Sequence, residues 1–500
     1  MDEHLKQLRA VLAEVSDLNY AMAVLGWDQQ TFMPDGGAEE RGDQLSTLAR
    51  LAHERMTAPV LGQLLSNLQP YAAGLPAGSD DACLVRVARR DYERAVKVPP
   101  AWVAEFARVT AVAQNVWQQA RAASDFPRFQ PHLERIVELR REYASFFAPY
   151  SHVYDSLVED FEPGMKTADV QAIFDILRPA QVALVEAIAG RPQVDDSFLH
   201  QEFQPQGQWD FGAKVVTGMG FDWNRGRQDR SVHPFTTSFG LGDVRITTHV
   251  RPDSLVSALF GSIHETGHAL YEQGFDPALR RTPLAAGASY ALHESQSRLW
   301  ENIVGSSKAF WRHFYPQLQQ QFPVQLGNVD LDSFYRGVNR VNPSLIRIEA
   351  DEATYNLHIM LRMELEIALM SGDLRPADLP TAWAERMQAY LGITPPDDAR
   401  GVLQDVHWSN GSFGYFPTYA LGNLISAQLW ERACADLPDL ETRIAEGHFE
   451  ILLGWLRENV HRHGAKFEPQ ALVERITGSR IDPQPYLRYL TRKYSEIYAL

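Results

Sequence analysis

Two histidines and a glutamate stand close together in the segment HETGH, at His264, Glu265 and His268. The histidines are four residues apart, so on a helix they project from one face, about 40° apart around the axis. Two imidazoles in that arrangement can bind one metal ion, and Glu265, which points elsewhere, can reach a water molecule on the metal. The spacing therefore predicts a catalytic zinc site with His264 and His268 as ligands and Glu265 as the general base.

A catalytic zinc site needs a third protein ligand and one open position. The Gly and His that a metzincin would carry after its second histidine are replaced here by Tyr271 and Gly274. We therefore expect a carboxylate from a later helix, either Glu294 in LHESQSR or Glu301 further along the same helical face. Glu294 could instead pair with Arg298 at helical spacing, so the residues alone leave the third ligand open.

Periodic apolar residues predict the elements that position these side chains. A helix is expected to begin after Asp253 or Ser254, to end near Gly274 and to carry HETGH on its buried face. The segment 235–250, FTTSFGLGDVRITTHV, is typical of two short strands joined by a turn. Further helices are expected over the first 15 residues and over roughly 101–122, 131–147, 170–189 and 449–460. We thus expect a mainly α protein with one small sheet before the metal helix.

Composition limits the compartment and the partners. The formal net charge of −16 disfavours binding to nucleic acid or to an anionic membrane. The sequence contains no run of about 18 apolar residues, so we expect no membrane-spanning helix. The two cysteines, Cys83 and Cys434, are too few for a disulfide framework. The N-terminal sequence is typical of an amphipathic helix and not of an export signal. We expect a cytoplasmic protein.

Six further motifs lie in order along the chain, namely WDQQTFMP, HPF, DVRIT, HESQ, IRIEAD and GVLQDVHW. With these and HETGH, the sequence resembles the carboxypeptidase Taq family of zinc metallocarboxypeptidases nearly from end to end. The resemblance implies a mainly α, helical metallopeptidase with a deep central groove and one small β-sheet beside the zinc helix. It also implies Glu294 as the third ligand, a zinc site and usually a homodimer. We expect one zinc per chain, which cobalt can replace in sites of this kind. The implied activity is release of single residues from the C-terminus of peptides, with broad side-chain tolerance.

We interpret residues 1–500 as a single catalytic unit. Roughly residues 1–200 are expected to form a helical groove wall and lid, and roughly 201–500 the zinc-binding and substrate-binding part. The Pro and Gly residues are scattered, so the sequence itself marks no domain boundary.

A carboxypeptidase must bind a free carboxylate, and a guanidinium does this with paired hydrogen bonds. Arg347 in IRIEAD is the first candidate and Arg245 in DVRIT the second. Arg347 could instead pair with Asp351 one turn further on, and Arg245 could be a solvated strand residue. His233 is expected to shape the end of the groove.

Other side chains are candidates for supporting roles. Tyr415 and Tyr419, four residues apart, could donate to the oxyanion of the reaction, although aromatic residues at this spacing more often pack in a core. His407 could donate to the substrate or the oxyanion, or could be structural. Asp351 and Glu352 are candidates for orienting the two zinc histidines.

Two other functions compete with the carboxypeptidase hypothesis. An endopeptidase or a dipeptidyl peptidase could use the same zinc chemistry. An aminopeptidase is less expected, since the chain has no Gly-x-Met-Glu-Asn segment to hold a terminal amine. A non-catalytic peptide-binding or chaperone-like protein would be expected to lose a ligand or the base, and all four residues are present.

Overall fold

The computed structural model describes residues 2–500, with side chains from residue 3 onward. Helices hold 69% of the residues and a single small sheet accompanies them in this part of the chain, so the mainly α fold class is confirmed. In chain order the helices are α1 (Asp2–Thr31), α2 (Ala38–Met56), α3 (Pro59–Ala73), α4 (Asp80–Lys97), α5 (Pro100–Ala123), α6 (Phe126–Ser145), α7 (Asp155–Val158), α8 (Thr167–Ala189), α9 (Pro205–Gly218), α10 (Leu255–Glu272), α11 (Tyr290–Arg298), α12 (Lys308–Gln321), α13 (Pro323–Leu326), α14 (Leu331–Val338), α15 (Glu352–Ser371), α16 (Leu379–Leu391), α17 (Pro417–Asp436), α18 (Leu440–Glu446), α19 (Phe449–Asn459), α20 (Pro469–Thr477) and α21 (Gln484–Tyr498).

The periodic segments form helices close to their expected limits. Helix α5 begins at Pro100, where a missing N–H costs nothing because the first turn has no acceptor for it. The expected start of the next helix at residue 131 is wrong. Helix α6 begins at Phe126, because the side chain of Asp125 accepts a hydrogen bond from the backbone N–H of Arg128 and caps the first turn.

The sheet has three strands, β1 (Gly226–Arg230), β2 (Thr236–Ser238) and β3 (Val244–Thr248), in the order β1-β3-β2. Strands β2 and β3 are antiparallel, which confirms the two strands and turn expected from 235–250. Strand β1 was not expected, because its sequence GRQDR lacks the β-branched and aromatic residues that mark strands. It pairs in parallel with β3.

Two compact units divide the chain, and each is discontinuous in sequence. The first comprises Met1–Val96, Asp195–Val338 and Leu429–Gly478, and the second comprises Lys97–Val194, Asn339–Gln428 and Ser479–Leu500. Residues 2–96 belong to the same unit as HETGH, and one border falls at Asp195. The roles expected for roughly residues 1–200 and 201–500 stay predictions.

In the first unit, helix α10, which carries HETGH, packs against α9 and the sheet. Buried apolar side chains fill this contact, namely Val216, Phe221, Val244, Ile246 and Ala269. Burying a side chain of Val, Ile or Phe size contributes about 1.5–3 kcal/mol, so these contacts hold α10 firmly against β3. The sheet therefore fixes the position from which the HETGH side chains project.

In the second unit, α15 is buried around most of its circumference. Leu357, Ile359 and Leu361 are fully buried, and so are two charged side chains, Arg362 and Glu366. A buried charge needs polar partners, so these residues mark polar contacts inside the core. None of the helices in the described part of the chain combines the length and apolar content that crossing a membrane requires.

Candidate active site

A glycine lets the two helices of the metal motif touch. Helix α10 carries HETGH and α11 carries Glu294. A Cβ atom at Gly267 would lie 2.6 Å from Ser297 Cα and 2.7 Å from the carbonyl oxygen of Gln296. Both atoms belong to the backbone of α11 and cannot rotate away, so only glycine permits this approach. The close packing brings Glu294 next to the two histidines.

Three donor atoms converge between these helices. Glu294 Oε2 lies 3.9 Å from His264 Nε2 and 3.5 Å from His268 Nε2. One possible ligand atom from each of the three residues lies within 4.8 Å of the other two. Zinc ligands at bond lengths of about 2.0–2.2 Å and tetrahedral angles are separated by about 3.4 Å. A small contraction of these side chains would therefore give coordination distances, and the set of two imidazoles and one carboxylate fits a catalytic divalent metal.

The charges around the donors also fit a cation. Burial lowers the pKa of His268 to about 4, which keeps its imidazole neutral and able to bind a metal. Burial also opposes the charge on His264, but the carboxylates of Glu301 and Glu294 raise the pKa of His264 to about 9. Although burial acts to raise it, Arg298 and His264 hold the pKa of Glu294 well below its usual range. The carboxylates of Glu294 and Glu301 thus stabilise a positive charge at His264, and a bound divalent ion could take the place of that proton.

Glu301, the alternative third ligand predicted from the sequence, contacts the other ring nitrogen of His264. It lies in the π-helical segment Leu299–Gly305 that follows α11, and its Oε2 is 2.7 Å from His264 Nδ1. Arg298 donates to Glu294 at 2.6 Å and to Glu301 at 3.2 Å, so the sequence alternative of a Glu294–Arg298 pair also occurs. Glu301 therefore orients His264 from behind, leaving Nε2 to face the donor cluster.

The two carboxylates proposed from sequence for this orienting role have other partners. Asp351 caps α15 by accepting hydrogen bonds from the backbone N–H groups of Ala353 and Thr354, each at 3.0 Å. Glu352 accepts a hydrogen bond of 2.7 Å from the buried Lys493 ammonium group. Both carboxylates thus have contacts within the second unit, and their role in orienting the histidines stays a prediction.

Glu265 is buried beside the donor cluster. Thr236 Oγ1, on β2, lies 2.6 Å from Glu265 Oε2 and 2.8 Å from the Glu265 carbonyl oxygen. Burial raises the pKa of the Glu265 carboxyl. Sequence reasoning missed Thr236, because 29 residues separate it from Glu265 and nothing in its local sequence distinguishes it from its neighbours.

Two further residues, which were not predicted from the sequence, form hydrogen bonds on the Nδ1 side of His268. Its Nδ1 is 2.6 Å from His293 Nδ1, and His293 Nε2 is 2.8 Å from Glu272 Oε1. His293 belongs to the HESQ motif, which could have drawn attention to it. Glu272 lies four residues after His268 on α10, so the two side chains share a helical face.

Arg347 lies in the second unit and is 5% exposed. Its Nε and Nη2 donate to Asp405 Oδ1 at 3.0 and 2.8 Å, and its Nη1 donates to the Tyr355 hydroxyl at 3.1 Å. Among the described side chains its ion pair is thus with Asp405 and not with Asp351. Arg362 donates to the other oxygen of Asp405 at 2.7 Å. Two guanidinium groups therefore share one carboxylate, which leaves a net positive charge.

His407 and the two candidate tyrosines meet in the same unit. The Tyr415 and Tyr419 rings are 5.1 Å apart, although Tyr415 precedes α17 and only Tyr419 lies on that helix. The His407 ring stacks on Tyr415, and its Nε2 is 3.4 Å from the Tyr419 hydroxyl. Burial lowers the pKa of His407 to about 4, so its imidazole is neutral. The cluster offers neutral hydrogen-bond donors.

Arg245 and His233 lie in the first unit, in different environments. Arg245 donates to both oxygens of Asp243 and stacks on the rings of Trp27 and Phe239, with its Cζ 4.2 and 4.8 Å from their centroids. It is therefore held by contacts, and is not the solvated strand residue of the alternative interpretation. His233 is exposed, and its carbonyl oxygen accepts a hydrogen bond from Ser231.

Comparisons with known proteins identify the family of the chain. The family model described as carboxypeptidase Taq (M32) metallopeptidase matches residues 7–494. Thermostable carboxypeptidase 1 of Thermus thermophilus is 43% identical over 95% of both chains, and carboxypeptidase 1 of Bacillus subtilis is 38% identical over 99% of both. The M32 carboxypeptidase structure from Deinococcus radiodurans is 42% identical and superposes with a TM-score of 0.96 over 100% of both chains. The chain is therefore a peptide-bond hydrolase, and it belongs to the carboxypeptidase Taq (M32) family of metallopeptidases.

Proposed function

We propose that the protein is a zinc-dependent carboxypeptidase that releases single amino acids from the C-terminus of peptides and tolerates many side chains there. One observation carries the proposal: donor atoms of His264, His268 and Glu294 converge within 4.8 Å, next to the buried carboxylate of Glu265. A buried cluster of this composition costs free energy unless a cation binds to it.

In this proposal His264, His268 and Glu294 hold one metal ion per chain. When bound, the metal would polarise the scissile carbonyl and make a water molecule acidic enough to attack it at neutral pH. Zinc suits the mixed nitrogen and oxygen donors, and cobalt can replace it because the same donors suit both ions.

Glu265 serves as the general base. Its carboxylate accepts a proton from the attacking water and then passes this proton to the leaving amine. Thr236 holds one carboxylate oxygen of Glu265, so the other oxygen is available to the water. Burial of Glu265 excludes bulk water that would compete for this proton.

Arg347 is the proposed receptor for the terminal carboxylate of the peptide. A guanidinium carries five N–H groups, and the three hydrogen bonds to Asp405 and Tyr355 use three of them. Two N–H groups remain, which suffices for a paired contact with a carboxylate. Arg245 and His233 remain secondary candidates for substrate binding, although Arg245 already has a bidentate carboxylate partner.

Tyr415, Tyr419 and His407 are proposed as donors to the oxyanion that forms during attack. Their mutual contacts preorganise two hydroxyl groups and one neutral imidazole, and preorganised donors of this kind stabilise developing negative charge. Tyr419→Phe and Tyr415→Phe identify the donor: the variant that loses kcat with unchanged zinc content carries this role.

The dependence of cleavage on a free C-terminus of the peptide tests the proposal. An unstructured peptide is incubated with the enzyme as the free acid and as the C-terminal amide, and products are followed by mass. We expect a ladder of single-residue losses from the free acid only, abolished by a chelator. Internal cuts in both peptides would favour an endopeptidase with the same metal site. An absence of cleavage in metal-replete protein would favour the peptide-binding alternative.

The Arg347 assignment has its own test. Arg347→Ala should raise KM for peptides with a free C-terminus and leave the zinc content unchanged, since the hydrogen bonds of Arg347 go to Asp405 and Tyr355. Unaltered kinetics would remove Arg347 from the substrate site.

We further propose a cytoplasmic homodimer, to be tested by cell fractionation and by the mass at sedimentation equilibrium.

A further inference from the structure

A chain of hydrogen bonds leads away from one proposed metal ligand. His268 Nδ1 contacts His293 Nδ1 at 2.6 Å, and His293 Nε2 contacts Glu272 Oε1 at 2.8 Å. His268 and Glu272 are on α10, whereas His293 is on α11, directly before Glu294. The chain therefore connects the two helices that supply the ligands.

When His268 binds a metal through Nε2, only one placement of protons gives each bond of this chain a donor and an acceptor. His268 Nε2 faces Glu294, so a neutral His268 that binds a metal through Nε2 has its proton on Nδ1. That N–H donates to His293 Nδ1, and His293 then carries its own proton on Nε2, which donates to Glu272. A doubly protonated His293 would set two N–H groups against each other at 2.6 Å.

The surroundings fix the ring of His293 in this arrangement. A Cβ atom at Gly287 would lie 2.9 Å from His293 Cδ2, so the absence of a side chain there makes room for the ring. The ring of Tyr271 also packs against the His293 ring, with centroids 5.2 Å apart. A ring held in this way keeps its Nδ1 directed at His268.

The two metal histidines are thus supported differently. His264 has a carboxylate, Glu301, directly on its Nδ1 at 2.7 Å. His268 reaches the carboxylate of Glu272 only through the imidazole of His293. Partners behind metal-binding histidines set the tautomer, orient the ring and increase the basicity of the ligand nitrogen.

We propose that His293 and Glu272 are positioning residues that hold His268 in its metal-binding tautomer and orientation. The proposal rests on the proposed function, because it requires a metal bound through His268. It assigns to both residues a role in metal affinity, separate from any contact with the substrate.

Metal affinity tests the proposal without relying on turnover. Zinc dissociation constants are measured by competition with a chelator of known affinity, for the wild type and for His293→Leu, His293→Asn and Glu272→Gln. We expect His293→Leu to bind zinc roughly 10–100-fold more weakly. His293→Asn should recover most of this loss, because the Oδ1 atom of the asparagine can accept a hydrogen bond from the Nδ1–H group of His268. Glu272→Gln should show a smaller loss in the same direction.

Asp276→Asn is the matched control. It also removes one carboxylate near the end of α10, but Asp276 accepts a hydrogen bond from the Ala278 backbone and has no contact in the His268 chain. We expect it to bind zinc like the wild type. Urea unfolding of the metal-free proteins shows whether each variant folds, and the visible bands of bound cobalt report a changed ligand geometry in His293→Leu.

The outcomes separate this proposal from the proposed function. Wild-type zinc affinity in both His293→Leu and Glu272→Gln would overturn the positioning role. The proposed function would still stand if the wild type binds zinc and releases C-terminal residues. An equal loss in Asp276→Asn would also overturn it, since a general charge effect would then explain the data. If His293→Leu does not fold, the comparison of His293→Asn and Glu272→Gln with the control decides. A wild type that binds no metal would overturn both proposals.

Discussion

Replacing Gly267 by alanine tests how the metal site is assembled. The new Cβ would lie 2.6 Å from Ser297 Cα and 2.7 Å from the Gln296 carbonyl oxygen, whereas ordinary contacts begin at 3.4 Å. Helix α11 would have to move by about 0.8 Å to relieve the clash, which is the difference between 3.4 and 2.6 Å. Zinc sites tolerate about 0.2 Å in their bond lengths, so a shift of Glu294 by this amount would disturb coordination.

Two effects on stability oppose each other in Gly267→Ala. Overpacking a core contact costs about 1–3 kcal/mol, and alanine in place of glycine in a helix contributes up to about 1 kcal/mol in return. We expect a net loss of stability and at least tenfold weaker zinc binding, measured by thermal unfolding and by chelator competition. Gly261→Ala is the control on the same helix, because its nearest contact is an ordinary 3.4 Å to Pro234 Cγ. Wild-type zinc affinity and stability in Gly267→Ala would refute the close-packing argument.

Three further predictions concern other parts of the molecule. Glu265→Gln should lower kcat by about 10²–10⁴ with one metal still bound per chain by elemental analysis, and loss of the metal would place Glu265 among the ligands. Asp405→Asn leaves Arg347 and Arg362 buried without their carboxylate and should lower the urea-derived free energy of unfolding by about 3–5 kcal/mol, whereas a change under 1 kcal/mol would contradict this. Burial raises the pKa of Glu366 from 4.5 to about 7. Between these two pH values the folded protein therefore retains a proton that the unfolded chain releases. The free energy of unfolding should therefore fall by about 3 kcal/mol as pH rises from 4.5 to 7, and Glu366→Gln should show a flatter profile.

The fold was predictable where its signal is local. Apolar periodicity located α5, α8, α10 and α19 within a few residues, because each helix buries one face against its unit. Strand β1 was not predictable, since GRQDR forms a strand only through its pairing with β3. The discontinuous units were not predictable either, because they depend on contacts between distant segments.

The site shows the same limit. Spacing alone located His264 and His268, and the family motif selected Glu294 over Glu301. In the structure Glu301 contacts His264 Nδ1, whereas Glu294 faces the Nε2 atoms of both histidines. The alternative to a substrate role for Arg347 was a pair with Asp351 one turn further on, but Arg347 pairs with Asp405, 58 residues further on. Such long-range pairs, like Thr236 with Glu265, leave no periodic trace in the sequence.

A metal titration tests the central claim most directly. Metal-free enzyme is titrated with zinc while release of the C-terminal residue from one peptide is measured, for the wild type and for Glu294→Gln. We expect wild-type activity to rise linearly and to reach a plateau at one zinc per chain, with Glu294→Gln inactive at that ratio. Full activity without metal, or an unchanged titration in Glu294→Gln, would contradict the assignment of His264, His268 and Glu294 as the catalytic metal site.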